Sequence, residues 1–152
     1  MAVVTGNSNL VYDHFDITAT PPDPEVARGR LVLSTGSVAN AGTDSSGSKY
    51  HLANVPSNAL VHEDTFFGVA SWGFAQVVIG TETDTDALVD QTKATENVVT
   101  PFAVADANHG KRWWEVLGLA ENPGGQLEIW AHAEANATGA GSMTFRIAYI
   151  MP

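Results

Sequence analysis

The sequence predicts an all-β fold, an antiparallel β-sandwich carrying one or two short helices. Three observations point there. Val, Ile and Thr supply 35 of 152 residues, while charged residues are only 16%, a balance that favours strands over helices. Apolar residues alternate over short segments separated by Gly, Pro, Asn and Ser, the pattern of half-buried strands and turns. The length suits one domain with a real core. A jelly roll is the expected form, because two packed sheets hide their faces.

The elements follow in order. Residues 1–28 read as an extended N-terminal arm and proline-rich link, and residues 29–152 as the sandwich domain. Leu10 to Ile17 is rich in aromatic and β-branched residues, and Pro21, Pro22 and Pro24 then exclude helix and central strand. Arg30–Ser34 is a short strand, 38–48 a loop and Lys49–Ala53 a strand. Trp72–Thr81 is apolar on both faces and reads as a strand buried on both sides. Thr83 to Asp86 offers N-caps for a helix over 87–94. Val98–Ala105 reads as a strand interrupted at Pro101. Lys111–Leu117 reads as a helix ending at Gly118.

Beyond the turn Asn122–Gly125, two segments alternate. Leu127, Ile129, Ala131 and Ala133 share one face, with Glu128, Trp130, His132 and Glu134 opposite. Met143, Phe145, Ile147 and Tyr149 then alternate with Thr144, Arg146, Ala148 and Ile150. The spacing predicts a β-hairpin over 126–150.

Charge and composition exclude several functions. The net charge is −10, with 7 cations among 152 residues and no cysteine. Nucleic acid and anionic membranes are therefore not expected partners, and thiolate chemistry is absent. No apolar run is long enough for a membrane helix. The first residues lack a secretory pattern.

No metal or cofactor is expected. Several of the five histidines lie near acids, such as His62-Glu63-Asp64 and His132 with Glu134, but no HxxxH or HExxH spacing occurs, and a metal needs three or four convergent ligands. Nor is an enzyme expected, since no nucleophile elbow or phosphate loop occurs. The acids Glu82, Asp84, Asp86 and Asp90 suit a helix N-terminus better than a calcium loop. Asn136-Ala137-Thr138 is formally a glycosylation sequon within a turn.

Aromatic residues are the candidate contacts. Trp113 and Trp114 are neighbours on a helix, so one can enter the core while the other faces a partner. Trp130 lies on the polar face of its strand. With Tyr12 and Phe15 of the arm, these form the expected interface. The scarcity of Lys and Glu is a further sign of covered surface.

Four segments carry a resemblance: Ser48–Ser57 (SKYHLANVPS), Trp72–Thr81 (WGFAQVVIGT), His109–Leu119 (HGKRWWEVLGL) and Ala135–Met143 (ANATGAGSM). Within residues 29–150 the chain resembles small structural proteins of tailed bacteriophages that are encoded beside capsid genes. The resemblance does not extend to the first 20 residues. It implies a head decoration, or cement, protein on the capsid exterior, made in the host cytoplasm. It implies the major capsid protein as partner and a homo-oligomer on the shell. The alternative is a tail- or fibre-associated module that binds glycans or the host surface, with Trp113, Trp114 or Trp130 as stacking platform.

Overall fold

In the computed structural model, which describes residues 2–8, 10–11 and 15–152, the chain folds as two antiparallel sheets. In chain order come α1 (Pro24–Arg28), β1 (Arg30–Asn40), β2 (Lys49–Pro56), β3 (Leu60–Val61), β4 (Phe66–Gly68), β5 (Gln76–Gly80) and β6 (Val89–Thr92). A 3-10 turn (Lys93–Thr95), β7 (Val98–Val99), α2 (Trp113–Val116), β8 (Gln126–His132) and β9 (Gly141–Met151) follow. The first sheet runs β1-β9-β4-β7, with β3 also on β9, and the second runs β2-β8-β5-β6. The all-β sandwich is therefore the observed class.

β9 is the spine of the first sheet. Along one edge it pairs with all of β1, from Arg30 opposite Met151 to Asn40 opposite Gly141. Along the other edge β4 takes Thr144 to Arg146 and β3 takes Tyr149 and Ile150. Between β3 and β4 the ladder is completed by a side chain. The fully buried Thr65 hydroxyl donates to the Ala148 carbonyl at 3.1 Å and accepts from the Ala148 N–H at 3.0 Å. A hydroxyl can do both at once, so no backbone group there is left unpaired.

The core lies between the sheets. β9 contributes Met143, Phe145 and Ile147, and β8 contributes Ile129 and Ala131, on the faces that their alternation indicates. Phe145 has room because β1 presents Gly36 opposite it. A Cβ on Gly36 would stand 3.0 Å from the tip of the ring. Val77, Val78 and Ile79 of β5 are all buried, as expected of a strand covered on both sides, but the strand is shorter than the expected Trp72–Thr81, since residues 72–75 bend into it and form no ladder.

A polar clip closes one end. Asn40, buried at the end of β1, accepts the Gly73 N–H at 3.1 Å and donates to the Gly139 carbonyl at 2.9 Å and the Ala41 carbonyl at 3.1 Å. Gly73 and Gly141 meet at this clip, and neither has space for a Cβ. Added atoms would fall 2.2 Å from Asn40 Nδ2 and 2.2 Å from the Ser71 carbonyl. Tyr50 fastens the loop beyond it: its hydroxyl donates to Asp44 Oδ2 at 2.5 Å. Burial, and then this bond, push its pKa up to about 12.

Five other expectations need correction. Residues 126–150 are not a hairpin: β8 lies in the second sheet and β9 in the first, joined by the crossing segment 133–140. Alternation reports a buried face, and facing strands in two sheets show it as plainly as neighbours in one. The segment 87–94 is not a helix, because β6 pairs with β5 from Gln76–Thr92 to Ile79–Val89. Two helical turns are marginal alone, and a sheet edge offers more bonds. Before Pro101 the strand β7 holds only Val98 and Val99, and turns follow. The strand from Arg30 runs on to Asn40, so its loop begins at 41. The proline link is not wholly extended. Pro24 opens α1, where its missing N–H costs nothing and its fixed φ suits a first turn. By contrast α2 forms as expected, and Gly118 adopts φ 79° just beyond it.

Thr65→Val keeps the shape and removes both bonds to Ala148. It should cost about 2–4 kcal/mol in urea unfolding, against about 1 kcal/mol for Thr65→Ser. A valine variant as stable as the parent would show that the ladder does not need this hydroxyl. Phe145→Ala should lower stability by about 3–5 kcal/mol, with an unchanged melting point marking the assigned register as wrong.

Candidate functional site

The outer face of the second sheet carries a connected group of interacting side chains. β8 turns Glu128, Trp130 and His132 away from the core, because Ile129 and Ala131 point into it. β2 lies alongside and places His51 opposite Trp130 and Lys49 opposite His132. The two rings stack, with centroids 4.6 Å apart and planes 12° from parallel. Lys49 Nζ stands over the same indole, 5.0 Å from its centroid.

Hydrogen bonds hold each member. Trp130 Nε1–H donates to Glu128 Oε2 at 3.0 Å, and His51 Nε2 donates to Asn54 Oδ1 at 2.7 Å. A register shift in β2 between His51 and Ala53 turns the chain here. Lys49 also forms an ion pair with Glu82, just beyond β5. The hydrogen bond from Lys49, and then its charge, hold the Glu82 carboxyl below the usual glutamate value. His132 is nearly buried and donates from Nε2 to the Thr81 carbonyl at 2.8 Å. The result is a half-buried tryptophan, held in one orientation among one lysine and two carboxylates. Such a surface suits recognition, since aromatic and charged groups are already positioned.

The expected contact residues have different fates. Trp113 is fully buried and packs edge-on to Phe102 at 5.3 Å, so a partner does not reach it. Its neighbour Trp114 is half-buried, which is the division expected of adjacent helical positions. Trp130 is half-buried on the outer face. Phe15 is exposed on the N-terminal segment. Tyr12 lies outside the described residues. Lys49 and His51 are not among the expected contact residues, and Glu82, expected at a helix N-terminus, instead pairs with Lys49. Lys49 and His51 do alternate with Tyr50 and Leu52, but only the register of β2 on β8 brings them to Trp130. No three His, Asp or Glu side chains among the described residues lie close enough to hold a metal. Nor is any described helix long and apolar enough to cross a membrane.

No protein-family model, curated protein or solved structure matches the chain.

Lys49→Ala should release Glu82. Because the Glu82 pKa is lowered by folding, the stability that it adds is present above the ordinary glutamate value of 4.5 and is lost as pH falls below it. The titration midpoint of Glu82, followed by carboxyl carbon NMR, should rise toward that value in the variant. An unmoved midpoint would place the cause elsewhere than Lys49.

Proposed function

We propose that the chain is a structural virion protein, a decoration or cement protein that binds the outside of a phage head and bridges neighbouring major capsid proteins. The observation that carries this reading is the fixed, half-buried Trp130 platform on the β2–β8 side of the second sheet, with Lys49, His51 and Glu128 exposed around it. Protein interfaces are anchored by a few rigid aromatic residues ringed by polar ones. Two of the four phage-like segments border this platform, since Ser48–Ser57 contains β2 and Trp72–Thr81 contains β5. The net charge of −10 supports an outer position, away from packaged nucleic acid, and fits a basic patch on the shell.

The work of such a protein is mechanical. Binding that spans adjacent capsid subunits adds its free energy to the stability of the shell by mass action. Many copies on a symmetric lattice make modest individual affinities sufficient. We also read the winding as a jelly roll. Counting β3 and β4 as one interrupted strand leaves four strands to each sheet, the complement of that fold. The alternative, a tail- or fibre-associated glycan-binding module, asks for a free ring face. Here His51 and Lys49 already engage the indole, which leaves less of the ring for a sugar.

Quantitative analysis of purified particles tests the reading. The chain should be present in numbers comparable with the major capsid protein. Trp130→Ala should fold normally yet bind heads stripped of the protein about 30-fold more weakly or worse. A handful of copies per particle, with a glycan-array signal lost in the same variant, would establish the tail module instead. No copies in the particle would end both readings.

A further inference from the structure

We propose that the N-terminal segment of one copy adds as a strand to the free edge of β1 in a second copy, so that the protein associates by exchanging arms. This goes beyond the capsid reading and is tested without particles.

The outer strands of the two sheets are not alike. β2 begins at Lys49, shifts register at His51 and ends at Pro56. β6 has 4 residues, including Asp90, and β7 has 2 residues shortly before Pro101. Short length, a bulge, lysine and proline are the devices that keep a sheet edge from recruiting another chain. β1 has none of them. It runs for 11 residues without proline, lysine or register shift, and its one charge is Arg30 at the very end. On its outer face Leu31 and Leu33 are nearly half exposed, opposite Ile150 and Ala148 of β9. The backbone groups on its open side belong to no strand pairing among the described residues.

The same chain supplies a fitting occupant. None of the described residues before α1 lies in a strand. Val3, Val4 and Ile17 are more than four-fifths exposed, and Leu10 and Val11 more than half. Extended, residues 2–19 reach about 60 Å, whereas β1 spans roughly 36 Å. The root of the arm is fixed, because Asp23 Oδ2 accepts from Arg112 Nη2 at 2.7 Å and α1 follows at once. Pro21, Pro22 and the helical turn occupy the stretch in which the arm would have to reverse to reach its own β1. Charge also selects this edge. Two copies at −10 repel, yet β1 contains no acid and the arm only Asp13 and Asp16. Pairing through backbone bonds here meets little of that repulsion, and apolar residues on arm and strand leave water together.

Sedimentation of the full chain over a range of concentrations, with two double variants, provides the test. One variant carries Val11→Asp and Ile17→Asp on the arm, and the other Leu31→Lys and Leu33→Lys on the edge. All four positions are exposed, so both should fold with the parent's circular dichroism. The parent should associate, and each variant alone should do so about tenfold more weakly or worse. An equimolar mixture should regain association, because each partner keeps what the other lacks. Amides of β1 should exchange more slowly in the associated parent. A parent that stays monomeric overturns the proposal. So does a mixture that fails to regain association. Should only the edge variant dissociate, the occupant is not the arm.

Discussion

The amide of Asn40 joins three segments that are far apart in sequence. It ends β1, holds the turn ahead of β5 through Gly73, and holds the crossing from β8 to β9 through Gly139. Each of its polar atoms has a partner, which is what a buried amide demands. Gly141 then enters β9 directly against the Ser71 carbonyl. The register of β9 is thus anchored at one end by a hydrogen-bonded knot and carried along its length by β1. β3, β4 and the Thr65 hydroxyl take their positions from it.

The alternation of apolar residues reveals which side of a strand is buried, and it did so for Ile129, Ala131, Met143, Phe145 and Ile147. Pairing is a different quantity. It depends on which strands meet, and that is set by long-range packing of 133–140 around Asn40, not by local pattern. The same limit applies at 87–94, where cap residues and a modest helical pattern compete with an open ladder on β5 and lose. Where a local rule has no rival, as for Gly118 beyond α2, sequence and structure agree.

The candidate site divides along the same line. The division of Trp113 and Trp114 between core and surface follows from helical geometry alone. Trp130 was visible as a large apolar ring on a polar face. Its neighbours were not, since a bulge in β2 and a cross-strand register bring Lys49 and His51 to it. Glu82 arrives from a third strand's end. A surface assembled from β2, β8 and the end of β5 has no signature within any one of them.

Loops are usually where a protein's sequence drifts freely and strands where it is held. In this fold the crowded glycines reverse part of that rule. Gly73 lies outside the strands and Gly141 at the first residue of one, yet a single methyl group at either would collide with backbone. The solvent-facing positions of β1, by contrast, accept many side chains sterically. A survey of natural variation or a saturating mutational scan would therefore find some of its most intolerant non-core positions in the turns at one end of the sandwich. Reading that map by secondary structure alone would assign those turns to function, when their restriction is one of space.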